Sequence, residues 1–455
     1  MLHGMGGRGG GRAAGVVLVA VLGLTGCDGG VLSTKGSSAE PGPSGVSEDG
    51  DLEVSDEQVD EALLAMDDAL QSGDVEAYLA FVGPELQDQQ RAWFDGVRTA
   101  PLEMRELRLD GVVSRTPSEG TVAHVGLRHQ FTGADPVPVL QQYRWVFAAA
   151  DDGAALLVAS DGRNGEFFGH PQLWDLGEEL VVLTGHSVQV LVQQSRAGDA
   201  ESLLDPLDRA AEASLATLPP VAEGRERLVV QMVPGETVIE HGWSQSPGSA
   251  SMLKVSPDPL PREPGRLTGF RTPVQSHLFL DLDLALDDLQ EFGHSPGGQT
   301  ELRYFAAYAA LWGEDPDTWP EDWVLEGMAY WWSSVDDPAY SAGFLSDVGD
   351  HFAVTGPPTA LPSLPRDPDD LDGFESYVQE SVALAYYVEE TYGQEALIDL
   401  AGRLTDLDQR HDEDQIEQAY RDTIGVDRDE LLDGFARWTQ TSPALDVEAQ
   451  QSLSG

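Results

Sequence analysis

Two glutamates in neighbouring predicted helices are the residues best placed to do chemistry. Glu301 lies in the run Thr300-Glu301-Leu302-Arg303-Tyr304, and Glu326 lies in Trp323-Val324-Leu325-Glu326-Gly327-Met328-Ala329-Tyr330. A carboxylate can ligate a metal ion, or it can act as a general base on a metal-bound water. The pair is therefore of interest as part of a metal-dependent hydrolytic site.

Two helices are predicted to carry these glutamates. Residues 301–311 are rich in helix formers, residues 313–320 contain helix breakers, and the helical pattern resumes over 323–332. This layout resembles the helix pair of gluzincins of the peptidase MA-like kind, in which H-E-x-x-H on the first helix is followed by W-L-x-E-G-x-A-x-Y on the second. The resemblance implies a gluzincin-like fold, with Glu301 as general base and with Thr300, Tyr304 and Glu326 at motif-equivalent positions.

The two histidines of that motif are replaced by Thr300 and Tyr304. Two imidazoles one helical turn apart bind zinc from one helix face, whereas threonine and neutral tyrosine oxygens are poor zinc ligands. No other H-x3-H spacing occurs in the chain, although His277 and His294 lie upstream of the first helix. We therefore expect no metal and no catalysis, with both glutamates hydrogen-bonded to neighbours such as Arg303 or to water.

The single cysteine, Cys27, directly follows a short apolar run. Arg8 and Arg12 precede residues 13–24, which are too few to span a bilayer and have the pattern of a signal-peptide core. The run Leu24-Thr25-Gly26-Cys27 resembles the bacterial lipobox, which implies cleavage before Cys27 and lipidation of that residue. Residues 1–27 are thus predicted to be a lipoprotein signal peptide, and the protein is expected to be lipid-anchored at the extracytoplasmic face of the cell membrane.

Composition limits the partners. The chain has 79 acidic and 26 basic residues and a net charge of −53. This charge argues against nucleic acid as a partner and against charge-driven binding to anionic lipid. Residues 28–54 are dominated by glycine, serine, proline and acids, so we expect a disordered tether there.

Residues 55–165 are predicted to form an α+β domain. Ser55 and Gln58 have the spacing of a capping box, and Gly73 ends the helix that they begin. Four strand-like runs separated by turn residues follow, at 102–113, 121–131, 139–150 and 154–160. Helices followed by an antiparallel sheet resemble the cone-shaped nuclear-transport-factor-two-like superfamily, here expected to be a scaffolding or docking cone. Its His124 and His129 lie on opposite faces of one predicted strand and cannot form a pair.

Residues 166–445 are predicted to form the peptidase MA-like domain, with a small sheet and a helical C-terminal half. Strands are expected at 179–183, 187–192, 228–234 and 272–281, and a helix at 200–218. Residues 335–369, which are acidic and rich in proline, are expected to be loop-like. Further helices are expected at 374–392, 395–404, 414–423 and 429–439. The expected fold class of the whole chain is α+β.

Aromatic residues crowd the central helices: Trp312, Trp319, Trp323, Tyr330, Trp331 and Trp332. Such rings can line a groove for a peptide or a sugar, with Trp323 and Tyr330 as the candidate cleft, or they can pack in a core.

The leading interpretation is a lipid-anchored envelope protein whose peptidase-fold domain has lost zinc and catalysis and serves to bind or dock a peptide, protein or glycan. It requires no cofactor. Two alternatives remain open at this level: an active metallopeptidase with atypical zinc ligands, and a structural envelope component that binds no small ligand.

Overall fold

The structure is a computed structural model of an α+β protein whose described residues form two sheets. It describes residues 54–116, 120–135, 138–150, 155–161, 172–219, 225–234, 237, 251–255, 275–283, 285–286, 296–311, 321–365, 370–407 and 413–445. Cys27, the signal-peptide segment and almost all of the tether lie outside these residues. Within them, no helix has the length and apolar character needed to cross a membrane.

The N-terminal unit consists of helices followed by an antiparallel sheet, as predicted. The helices are α1 (Asp56–Ser72), α2 (Val75–Leu79) and α3 (Gln87–Thr99). The strands pair in the order β1 (Leu102–Thr116), β2 (Gly120–Phe131), β3 (Val139–Ala149) and β4 (Ala155–Asp161). The capping box is confirmed, because Ser55 Oγ accepts from the Gln58 amide and Gln58 Oε1 accepts from the Ser55 amide. Helix α3 was not foreseen, and the likeness to the cone superfamily remains a prediction.

Aromatic rings fill the space between these helices and the sheet. Trp93 on α3 packs against Tyr143 and Trp145 on β3, each with a distance of 6.0 Å between ring centroids. All three are at most 4% exposed. Tyr143 also accepts a hydrogen bond from Trp174 Nε1 at 3.2 Å. These rings therefore form part of the core of the N-terminal unit.

A second, five-stranded sheet follows in the order β5-β6-β7-β9-β8. Its strands are β5 (Leu180–Thr184), β6 (Val188–Gln193), β7 (Leu228–Val233), β8 (Ser251–Val255) and β9 (Gln275–Asp281). Strands β6, β7 and β9 are parallel, and the edge pairs are antiparallel. Helix α4 (Ala197–Thr217) connects β6 to β7.

Both faces of the central strands β6 and β7 are buried, which explains their nearly continuous apolar sequences. On β7, Val230 and Met232 belong to the core shared with α4 and the C-terminal helices, whereas Val229 and Val233 belong to the core of the N-terminal unit. Alternate residues of one strand therefore join the two units of the chain.

The C-terminal half is helical. Its helices are α5 (Pro296–Leu311), α6 (Trp323–Ser334), α7 (Pro338–Thr355), α8 (Leu371–Tyr392), α9 (Gln394–Thr405), α10 (Glu413–Ile424) and α11 (Arg428–Thr441). The prediction of a loop over 335–369 is wrong for about half of its length. Helix α7 begins with Pro338, Asp337 Oδ1 accepts from the Tyr340 amide, and Val348 is fully buried. Proline is tolerated in the first turn of a helix, so Pro338 does not prevent this one.

Candidate functional site

Helices α5, α6 and α8 bring the residues of the motif together. Gly327 on α6 lies against α8: a Cβ at this position would be 2.6 Å from the carbonyl oxygen of Ser381. No side chain larger than hydrogen fits there without movement of the backbone. The glycine of the Glu326-Gly327 pair therefore serves helix packing, and this close contact fixes where the neighbouring Glu326 lies.

Glu326 points into the protein and is hydrogen-bonded to a tyrosine of α5. The Tyr304 hydroxyl donates to Glu326 Oε2 at 3.0 Å, and Glu326 is 3% exposed. Tyr308, one turn further along α5, also interacts with this carboxyl. The Tyr304 ring packs against Tyr330, with 4.5 Å between ring centroids. Tyr377 of α8 lies close enough for the charge of Glu326 to act on it.

We call Glu326, Tyr304, Tyr308, Tyr330 and Tyr377 the tyrosine cage. Burial raises the pKa of Glu326 from its ordinary 4.5 to about 7, while the hydrogen bond from Tyr304 and the nearby hydroxyl of Tyr308 act in the opposite direction. Burial and the charge of Glu326 raise the pKa of Tyr304 well above 10. The cage thus contains a carboxyl that exchanges its proton near neutral pH, and a phenol that stays protonated and donates to it.

The chemistry of these donors does not fit zinc. Catalytic zinc takes three protein ligands, normally imidazoles and carboxylates. Among the motif-equivalent positions, Glu326 is the single strong metal ligand. Tyr304 is a neutral phenol that donates a hydrogen bond, and Thr300 is a buried hydroxyl. In the described part of the chain, no group of three or more histidine, cysteine, aspartate or glutamate residues is arranged to hold a metal ion.

The other residues singled out from the sequence are spread over the fold. Glu301 lies on α5, but its side chain is not among the described groups. The expected bond from Arg303 to a motif glutamate is not found for Glu326: Arg303 pairs instead with Asp336 at 3.0 Å and lies over the Trp332 ring. His277 lies on β9, where it pairs with Asp135, and His294 is outside the described residues.

Trp323 and Tyr330, the candidate cleft, do not share a groove. Trp323 is fully buried and its Nε1 donates to the Tyr420 hydroxyl at 3.2 Å, so it is a core residue. Tyr330 is partly exposed, and its ring stacks on Phe344 with a centroid distance of 5.5 Å. Trp331 and Trp332 are buried, whereas Trp312 and Trp319 lie outside the described residues.

A cavity opens beside the tyrosine cage, at the start of α6. It encloses about 370 Å³ and is lined by Glu321, Asp322, Ala360, Leu361, Pro362, Ser363, Glu417, Arg428, Asp429 and Leu432. The volume lies within the range of small-ligand sites. Asp322 joins the cavity to the cage, because its carbonyl oxygen accepts from the Tyr377 hydroxyl at 2.7 Å. One of its carboxylate oxygens accepts from the Leu364 amide at 2.9 Å and so fixes the loop on the opposite wall.

An ion pair between a buried glutamate and a partly exposed arginine forms one side of this cavity. Glu321 is 3% exposed, and Arg428 Nε lies 2.9 Å from Glu321 Oε1. Burial raises the pKa of Glu321 to about 7, and the charge of Arg428 opposes that rise. Arg428 is also paired with Glu413 at 2.7 Å, so its charge is already balanced by two carboxylates. Carboxylates therefore outnumber cations in the lining of the cavity.

Sequence reasoning missed Tyr308, Tyr377 and the Glu321–Arg428 pair. Tyr308 had a usable signal, since it lies one helical turn after Tyr304 on the same face of α5. The other contacts join residues far apart in the chain, and no local pattern indicates them.

No protein-family model and no curated protein matches the chain. Similar solved structures include a variant of a two-domain M1 zinc metallopeptidase bound to L-arginine, with 12% identity, a TM-score of 0.32, and coverage of 74% of this chain and 61% of that one. The M1 zinc metallopeptidase from Deinococcus radiodurans has 11% identity and a TM-score of 0.31, with 75% and 63% covered. The chain thus spans about three fifths of the length of these proteins. At such low scores the likeness supports no inference about function.

Proposed function

We propose that this protein is a non-catalytic binding or docking module of the cell envelope, anchored by lipid on Cys27 at the extracytoplasmic face of the membrane. The observation that carries the proposal is the hydrogen bond from the Tyr304 hydroxyl to Glu326. A phenol stands where the zinc-peptidase motif has an imidazole, and it engages the carboxyl that a metal would need.

The tyrosine cage supports the loss of hydrolysis in a second way. A general base must come within hydrogen-bond reach of the water or substrate proton that it takes. Glu326 is 3% exposed and is hydrogen-bonded to Tyr304, so it cannot take the place of Glu301 as a base that reaches a substrate. The cage stabilises the packing of α5 on α6.

Binding is assigned to the cavity at the start of α6. It is open to solvent, and it is bounded by α6, the loop before α8, α10 and α11. Its carboxylates favour an envelope peptide, protein or glycan that presents an amine or a guanidinium group. The alternative of a structural component that binds no small ligand predicts that this cavity stays empty.

Binding is tested by thermal shift with a panel of envelope peptides and glycans. Ser363→Trp fills the cavity from its exposed edge, and Ala353→Trp places the same ring on the exposed surface of α7 as the matched control. We expect at least one ligand to raise the Tm of the wild type and of Ala353→Trp but not of Ser363→Trp. If no ligand shifts the wild type, the structural alternative is favoured instead.

Anchoring is tested separately in the producing cells. Wild-type protein is expected to sediment with membranes and to incorporate labelled palmitate, and Cys27→Ser is expected to lose the label. Labelling of both forms, or of neither, would contradict lipidation at Cys27.

A further inference from the structure

The turn after β2 connects the N-terminal unit to the second sheet. Gln189 Nε2 on β6 donates to the Thr132 carbonyl at 2.7 Å, and the Glu226 amide donates to the Gly133 carbonyl at 3.0 Å. Asp135, at the end of the turn, lies 3.1 Å from His277 Nε2 on β9. We call residues 129–135 together with Gln189, Glu226 and His277 the junction.

Two imidazoles lie at the centre of the junction. His129 on β2 and His277 on β9 are both fully buried, with 6.3 Å between their ring centroids. The second oxygen of Asp135 accepts from the Phe131 amide at 2.8 Å, so this carboxylate is held in place for His277. The His129 ring packs edge-on against Trp174 at 5.3 Å.

The two imidazoles differ in their hydrogen-bonding partners. His277 has its carboxylate partner, and His129 Nδ1 lies 3.4 Å from the Leu127 carbonyl oxygen. His129 Nε2 is buried without a hydrogen-bond partner among the described residues, and so is His277 Nδ1. A charged imidazole has two N–H donors, and burying one of them without an acceptor is costly. His129 therefore fits its site as the neutral base.

The charges around the junction reinforce this preference. Burial and the neighbouring His277 lower the pKa of His129 to about 4, while Asp135 and the Leu127 carbonyl act in the opposite direction.

Other charged groups surround the junction. Arg225, before β7, lies close enough for the charge of Asp135 to act on it, and it donates to the Ala309 carbonyl on α5 at 2.9 Å. Glu226 and Arg227 lie at the outer edge, next to Gly133. Trp174 and Gln189 face the junction as neutral groups. Asp175, beside Trp174, has a pKa raised by burial to about 7 and so opposes acid opening.

We propose that the junction is an acid-sensitive connection between the two units, in which protonation of His129 releases the turn after β2 from the second sheet. The junction is closed while His129 is neutral and weakens as the pH falls from about 6.5 towards 4. Opening separates β2 from β9 and leaves the C-terminal helices folded.

The test is hydrogen–deuterium exchange of the full-length protein at pH 7 and pH 4.5, corrected for intrinsic exchange rates. Protection of segments 127–135 and 275–281 is expected to fall by between about tenfold and a hundredfold, which is the range implied by the lowered pKa of His129. Segments of α8 and α9 serve as the internal reference and are expected to keep their protection.

His129→Phe keeps a ring against Trp174 and cannot be protonated, so its junction segments are expected to stay protected at pH 4.5. Equal protection of the wild-type junction at both pH values would overturn the proposal, as would acid loss that persists in His129→Phe. If that variant does not fold, the exchange of the imidazole C2 hydrogen in the wild type gives the pKa of His129, and an ordinary value would overturn the proposal. Loss of protection on adding a chelator at pH 7 would also overturn it, because the two buried nitrogens would then belong to a metal site.

Discussion

Glu326→Gln is expected to make the protein more stable, and increasingly so as the pH rises. Burial raises the pKa of Glu326 from 4.5 to about 7, so the folded state favours the protonated carboxyl. In the unfolded chain the group ionises freely above pH 4.5, and the free energy of unfolding therefore falls with rising pH. Glutamine keeps an oxygen that accepts from Tyr304 and has no proton to lose.

The size of the effect follows from the two pKa values. Ionising Glu326 lowers the free energy of unfolding by roughly 1 kcal/mol at pH 5.5 and by roughly 3 kcal/mol at pH 8.5. The stability difference between Glu326→Gln and the wild type is thus expected to grow by about 2 kcal/mol over this range. Comparing the two proteins at each pH removes the contribution of other titrating groups, such as Asp175 and Glu321.

Urea denaturation at pH 5.5 and pH 8.5 measures this difference. Glu395→Gln, at an exposed position on α9, is the matched control and is expected to show a difference that does not change with pH. A constant difference for Glu326→Gln as well would refute the account of a buried carboxyl that prefers its proton.

Two further substitutions test the packing around the site. Gly327→Ala places a methyl group against the Ser381 carbonyl and is expected to lower the free energy of unfolding, measured in urea, by about 1–3 kcal/mol. The control is Gly343→Ala on α7, where a Cβ meets open space and the change is expected to be neutral or stabilising. Equal effects of the two substitutions would contradict the close contact between α6 and α8. Arg428→Met removes the cation from buried Glu321 and is expected to lower the free energy of unfolding by about 2 kcal/mol at pH 8.5. The loss is expected to be smaller at pH 5.5, where Glu321 is largely protonated. The control, Arg403→Met in an exposed pair with Asp399, is expected to change the free energy of unfolding by under about 0.5 kcal/mol at either pH.

Local patterns predicted most of the elements of this fold. The capping box at Ser55 and the turn residues between the strands of the first sheet depend on neighbours within a few residues, and the structure contains the capping box and the four strands. Helix α7 was missed because its acidic, proline-containing composition masked the helical spacing of Leu345, Val348 and Phe352. Composition is an average over a segment, whereas a helix depends on which face its apolar residues share.

The candidate site was only partly predictable. The replacement of both motif histidines was visible in the sequence, but the partner of Glu326 was not, because Tyr304 and Glu326 meet across two helices. The same limit applies to His277, which pairs with Asp135 from the N-terminal unit. Contacts of this kind depend on the packing of whole elements, and the sequence contains no spacing that indicates them.

Loss of the zinc site is tested by the zinc content of purified protein, measured by mass spectrometry, for the wild type and for Thr300→His combined with Tyr304→His. This double substitution rebuilds H-E-x-x-H on α5 and removes the phenol that engages Glu326. We expect far less than one zinc per wild-type chain and about one per chain of the rebuilt variant. One zinc per wild-type chain that is lost in Glu326→Gln would contradict this expectation, and would support the alternative of a metallopeptidase with atypical ligands.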